Sequence, residues 1–277
     1  YNVGIIAGTF LTPWLGIYGL VVGTLFGAFL HLVPRVVSLI RSPYTYHMKA
    51  NVKSDDYKKL IKLSIPKLFG HPVEHLTFAA FTSIATTLVV GTVASMSFAR
   101  NFQSVPVSLF GIAFSVAVFP TLCEWAAKGD RKEFLAHFWK TCRNILIFTV
   151  PAAIGLFFLS ELPIRIFFGG GRFTEEQIRR TAYLLSLFAF SIPTESMVHL
   201  LARSFYSLKN TIIPVLLSIM GLIISVSFAF VMTKYIGAAA IPYGFFLGSG
   251  SEVVLLGILL KQKLKSLHLS STTSPSQ

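Results

Sequence analysis

The chain has 277 residues, of which 53% are hydrophobic and only 13% are charged. A soluble domain carries about a quarter of its residues as charges, so this composition excludes an ordinary soluble enzyme or binding domain and points to a membrane. The formal net charge of +13 would suggest nucleic acid in a soluble protein, but here the basic residues sit mostly in short connections between apolar stretches. That arrangement fits membrane topology and contact with anionic lipid head groups, and no nucleic-acid partner is expected.

A run of about 20 apolar residues crosses the hydrocarbon core as a helix, because helical hydrogen bonds leave no backbone group unpaired in lipid. Residues 3–11 read as the tail of one such span, and seven more are predicted over 16–40, 63–90, 95–126, 141–159, 178–202, 211–233 and 238–260. The predicted fold class is all-α, a polytopic membrane helix bundle. The connections alternate in charge. The first, 41–62, carries Arg41, Lys49, Lys53, Lys58, Lys59 and Lys62, whereas GTVAS at 91–95 carries none. Lys128, Arg131 and Lys132 follow, then a mixed connection at 160–174 with Arg165 and Arg172 against Glu161. Arg203 and Lys209 come next, then a nearly neutral turn at 233–238, then Lys261, Lys263 and Lys265. Basic connections face the cytoplasm, so 41–62, 127–132, 203–210 and the C-terminal end are expected inside. Cys123 and Cys142 lie at predicted cytoplasmic span ends, where no disulfide is expected. The chain opens at Tyr1 within a hydrophobic run and without a signal-peptide pattern, so it reads as the C-terminal part of a longer protein. Residues 265–277, rich in Ser and Thr, read as a disordered tail.

Residues 11–41 can be laid over 232–262 at a constant offset of 221, which sets Thr12, Gly16, Gly23 and Gly27 on Thr233, Gly237, Gly244 and Gly248. Both segments run from outside to inside by the charge rule, as parallel repeats do in transporters built from two similar bundles. With six spans to a lobe, 1–41 is the end of a first lobe, 42–62 a basic cytoplasmic interlobe connection and 63–264 a complete second lobe. The first lobe is then truncated. Gly16, Gly19, Gly23 and Gly27 fall three or four apart and line one helix face, where small residues let backbones approach closely.

Ionisable residues at membrane depth are expensive, so they face a partner or a cavity. Four sites qualify: Glu74, flanked by His71 and His75; Arg100; Glu195 with His199; and Glu252. Glu195 and His199 are four apart and share a helix face, so they either satisfy each other or line a polar cavity that holds an anionic head group or couples to protons or sodium. His71 and His75 share a face likewise, but no dense ligand spacing supports a metal site. Prolines at 66, 72, 106, 151, 193 and 214 lie within or at the ends of spans; Pro106 and Pro193, near Arg100 and Glu195, suit bends beside a cavity. No catalytic constellation, phosphate-binding loop or cofactor motif is present, so no enzyme activity and no cofactor are expected. The glycine-rich FFGGGRF at 167–173 reads as a flexible external turn.

The stretch GTVASMSFARNFQSVPVSLFGIAFSVAVFPTL (91–122) resembles the MurJ/MviN family of lipid II flippases, in the multidrug/oligosaccharidyl-lipid/polysaccharide exporter superfamily. Phe98-Ala99, Val105-Pro106, Phe110-Gly111-Ile112-Ala113 and Pro120-Thr121-Leu122 fit its pattern. FFGGGRFTEE (167–176) looks like the family's external loop, ARSFYSLKNTIIPV (202–215) like its Arg-x-Phe-Tyr connection, and TPWLGIYGLVVGTLFGAFLH (12–31) like the end of its first lobe. The resemblance implies a two-lobed transporter of the bacterial inner membrane. It would move an undecaprenyl-diphosphate-linked peptidoglycan precursor to the outer leaflet by alternating access, with a cationic cavity for the diphosphate. In the family a cavity arginine usually lies five residues before the motif proline; here that position is Asn101, with Arg100 beside it. On this basis Arg100, Asn101, Glu195 and His199 are the candidate substrate-binding residues. Some members use a sodium site with acidic and Asn residues of second-lobe helices. The 211–233 span here holds neither, so Glu74 and Glu252 are the nearest candidates for a coupling monovalent cation. Alternatives are a flippase for another polyprenyl-linked saccharide, a drug/cation antiporter of the same superfamily, and a non-transporting scaffold derived from a flippase.

Overall fold

The computed structural model describes residues 2–43, 54–170 and 173–271. Lys49 and Lys53 of the basic connection, Arg172 of the external turn, the side chain of His71 and the last six residues of the expected tail lie outside the described residues. Among the described residues every regular element is helical, without strands. The chain forms two compact units, Tyr1–Ser54 and Asp55–Gln277.

The first unit is an antiparallel hairpin of α1 (Asn2–Leu15) and α2 (Ile17–Arg41). Its turn is Gly16, with φ +55° and ψ −137°, a backbone region open to glycine. The faces meet through glycines. A Cβ on Gly8 would lie 2.7 Å from the Cα of Gly23, and one on Gly19 would lie 2.8 Å from the backbone of Leu11 and Thr12. The glycine face read from the sequence is therefore a packing face, except that Gly16 makes the turn instead.

The second unit opens with α3 (Asp55–Thr86), which starts inside the stretch expected to be cytoplasmic connection. Gly91, in the left-handed region at φ +90°, starts α4 (Thr92–Pro106). A π-helical turn (Val107–Ile112) continues it into α5 (Ala113–Lys128). The single regular span expected at 95–126 thus carries an irregular turn after Pro106, which has no N–H to offer the ladder. Here Gly111 lies against α9: a Cβ on it would sit 2.6–2.8 Å from Ser196. Asp130 caps α6 (Arg131–Phe158), accepting from the N–H groups of Lys132 and Glu133.

The expected external loop instead contains a short helix, α7 (Glu161–Phe168), because its apolar residues find partners. Ile164 is fully buried, and the rings of Phe167 and Phe168 lie 5.5 and 4.7 Å from those of Phe102 and Phe98 on α4. Arg165 clamps α7 to the next helix, with Nη1 and Nη2 2.9 and 2.7 Å from the Glu175 carboxylate and Nε 2.7 Å from Glu161. These bonds hold its guanidinium pKa above the ordinary arginine value, Glu175 contributing most.

A Thr174–Gln177 capping box starts α8 (Glu175–Ala189). This helix meets α9 (Ser191–Ser207) at a 46° bend around Phe190. Pro193 falls in the first turn of α9, where a missing N–H breaks no helical bond. A second antiparallel hairpin, α10 (Ile212–Ile236) and α11 (Ala240–Ser271), closes the unit through a 3₁₀ turn at Gly237–Ala239. Gly237 adopts φ +58° and ψ −139°, nearly the conformation of its repeat mate Gly16. Gly244 packs on α10 as Gly23 packs on α1, with a Cβ on it only 2.5 Å from the carbonyl oxygen of Ser225.

Among the described residues four helical stretches are long and apolar enough to cross a bilayer: Ile17–Arg41, Thr92–Lys128, Arg131–Phe158 and Ile212–Lys265. The bent α8–α9 pair makes a fifth if it counts as one span. The Ile212–Lys265 stretch contains α10 and most of α11. By the same test α3 falls short of the predicted 63–90 span. Two large buried clusters organise the second unit, beside a small one of Val107, Ala189 and Ile192. One gathers Phe81, Met96, Leu185, Phe188 and Ile241, the other Leu122, Phe134, Ile145, Leu200, Phe205 and Leu256. Large apolar side chains such as Leu109, Ile154, Ile223 and Phe230 are exposed, as lipid-facing residues are.

Candidate functional site

Helix α4 buries Ser95, Met96, Ala99, Gln103 and Pro106, a stripe at helical spacing. Arg100 flanks that stripe and turns its side chain inward, where it is 11% exposed. Its guanidinium grips the Glu195 carboxylate at both oxygens, Nη2 to Oε1 at 2.5 Å and Nη1 to Oε2 at 3.1 Å. This planar two-point geometry is the one arginine makes best. Nη1 also donates to Gln103 Oε1, and Nη2 reaches Glu74 Oε1 at 3.3 Å. The rings of Phe78 and Phe245 lie 4.9 and 5.0 Å from the guanidinium carbon, a favourable setting for a cation.

The bend between α8 and α9 sets Ser191 and Glu195 one turn apart on the face toward α4. Gln103 Nε2 donates to Glu195 Oε2 at 2.9 Å and to Ser191 Oγ at 3.2 Å, while Ser191 Oγ donates to the carbonyl of Phe188 at 2.7 Å. Glu195 is therefore paired across helices with Arg100 and Gln103; the alternative of a pair with His199 inside its own helix is not what forms. The carbonyl of His199 instead accepts from Arg203 at 3.1 Å.

Beside this network lies a cavity of about 220 Å³, with Glu74, Glu195, His199, Tyr206 and Glu252 among its lining. Glu252 on α11 is buried and accepts from Ser218 Oγ of α10 at 2.6 Å. Gly221 leaves it room, since a Cβ there would come within 3.3 Å of Glu252 Oε2. Thr194 on α9, next to Glu195 in sequence, and Ser249 on α11, three residues before Glu252, share a hydroxyl–hydroxyl bond at 2.8 Å. Among the described residues no group of three His, Cys, Asp or Glu side chains is disposed to hold a metal ion.

Glu74, Arg100 and Glu195 thus come together in one hydrogen-bonded network, and His199 and Glu252 line the adjoining cavity. Asn101 does not join them. One residue along an α-helix is a rotation of about 100°, and Asn101 is exposed, its main-chain carbonyl accepting from Ser104. Sequence reasoning missed Gln103, Ser191, Phe78, Phe245 and Ser218. The available signal was spacing: Gln103 lies three residues after Arg100, and Ser191 four before Glu195.

Long apolar helices enclosing a charged network and a polar cavity define a multi-span membrane helix bundle. The fold agrees. A solved lipid II flippase MurJ, in an inward closed conformation, superposes with a TM-score of 0.74 at 22% identity, over 100% of this chain and 60% of that one. An inward-facing MATE-family multidrug resistance transporter of the MOP superfamily gives 0.79 at 12% identity, over 99% and 64%. The family model described as lipid II flippase MurJ matches residues 1–274, and the chain belongs to that family. Similar curated proteins include a probable lipid II flippase MurJ of Bdellovibrio bacteriovorus, 27% identical over 99% of this chain and 53% of its own length. Another, from Aquifex aeolicus, is 28% identical over 95% of this chain and 52% of its own length. The chain spans about half the length of the curated relatives it matches.

Proposed function

We propose that this chain is part of a flippase that moves lipid II, the undecaprenyl-diphosphate-linked peptidoglycan precursor, across the bacterial inner membrane by alternating access. The observation that carries the reading is the family match over residues 1–274. Residues 1–41 supply the end of a first lobe, 42–62 a cytoplasmic connection and 63–264 the second lobe, with 127–132, 203–210 and the C-terminal end also on the cytoplasmic side. Arg100 is the cation that meets the diphosphate, because guanidinium N–H pairs match phosphate oxygens and its aromatic bed fixes its plane. Glu195 and Gln103 orient it. Asn101, exposed one residue along, offers an uncharged amide to the same head group, and His199 borders the cavity. A polar path spares the head group its desolvation in lipid. Glu252 and Glu74 are the groups available to a coupling monovalent cation.

The test is survival of a bacterium depleted of its own lipid II flippase and supplied with the intact gene. Rescue by the parent and its loss with Arg100→Ala are expected. Failure to rescue despite membrane insertion would discard lipid II as the substrate and favour another polyprenyl-linked saccharide.

A further inference from the structure

The four terminal N–H bonds of Arg100 are all committed. Nη1 serves Gln103 and Glu195, and Nη2 serves Glu195 and Glu74. A phosphate oxygen therefore reaches the two terminal nitrogens of this guanidinium only by displacing a partner, and the partners are not equivalent. Glu195 is held at two points, is 12% exposed and is braced by Gln103. Glu74 is held at one point, at 3.3 Å, and its side chain is 60% exposed. The exposed partner borders the polar cavity and can turn into it, so its release costs little; release of Glu195 would strand a buried carboxylate. Replacing one anion by another keeps a negative charge against Arg100, which an uncharged ligand cannot do.

We propose that Glu74 is an exchangeable counter-ion whose place on Arg100 is taken by a phosphate oxygen of the lipid-linked substrate, and that this exchange selects diphosphate over uncharged head groups. Glu195 stays bound throughout as the positioning residue. The proposal rests on the assignment of Arg100 to the diphosphate. It goes beyond that assignment by making Glu74 a competitor of the substrate.

The experiment measures binding of undecaprenyl diphosphate, and of undecaprenol as the uncharged probe, to the intact protein in detergent, for the parent, Glu74→Gln, Glu74→Asp and Arg100→Ala. An exposed ion pair is worth little, so its removal should tighten diphosphate binding by about two- to fivefold. Glu74→Asp should restore the parent affinity, and undecaprenol binding should not change. A purely structural Glu74 would give lower thermal stability and no gain in affinity. Unchanged or weaker diphosphate binding by Glu74→Gln overturns the exchange. If Arg100→Ala binds diphosphate as the parent does, the assignment of Arg100 fails and the exchange with it. If Arg100→Ala loses binding while Glu74→Gln gains none, the exchange alone fails. No diphosphate binding by the parent overturns both.

Discussion

Arg100 and Glu195 are both nearly enclosed and pair with each other at two points. Breaking a buried pair leaves an uncompensated charge, and Glu195→Ala should lower stability by about 3 kcal/mol, read as a depressed thermal unfolding temperature in detergent. Arg100→Lys keeps the charge but cannot hold both carboxylate oxygens in one plane, so it should recover only part of the function lost in Arg100→Ala. Asn101→Ala removes an exposed amide and should change stability by less than about 0.5 kcal/mol; any loss of survival in the depleted strain would then report a direct contact with substrate. Both charged partners were legible in the sequence because charge in an apolar span is rare. The groups that brace them were not: Gln, Ser and Phe occur throughout such spans, and only tertiary contact distinguishes Gln103 from its neighbours. Asn101 was singled out by its register against the motif proline, yet a single residue of register decides whether a side chain faces α9 or not.

At the scale of elements, the two hairpins show what a glycine pattern can specify. The sparse repeat between 11–41 and 232–262 extends to the backbone, for Gly16 and Gly237 share their φ and ψ within a few degrees. Gly237→Ala should cost about 1–2 kcal/mol, because a Cβ is disfavoured at positive φ. Gly244→Ala should cost about 1–3 kcal/mol by forcing α11 away from Ser225. Thermal unfolding of the two variants tests both, and equal stability to the parent would refute the packing argument. Helix boundaries were less legible than helix existence. Helix α3 extends into the basic connection because nothing in Lys58 to Lys62 opposes a helix, and α7 forms in the mixed connection at 160–174 because aromatic contacts with α4 stabilise eight residues that hydropathy alone leaves ambiguous.

For the whole molecule, the alternation of basic and neutral connections yields a labelling pattern. In a Cys123→Ser, Cys142→Ser background, a cysteine at Thr174 should react with an impermeant thiol reagent in intact cells, and one at Lys209 only after the membrane is opened. Labelling in the reverse order would invert the orientation. The family match extends over residues 1–274, whereas the hydrogen-bonded Arg100 network draws on three helices. A variant that disrupts the network should leave membrane insertion and the labelling pattern intact while abolishing rescue.

The bond between Glu252 and Ser218 bears on how the chain enters the bilayer during synthesis. An acidic residue near the centre of a lone helix raises the cost of partitioning from the translocon by about 2.5–3.5 kcal/mol. Helix α10 emerges first and already holds the hydroxyl that Glu252 needs, and the glycine turn at 237 lets α11 fold back on it at once. The two helices are therefore expected to leave the translocon as a pair. The hairpin of α1 and α2, which has no acidic residue, is under no such constraint and can release its helices one by one.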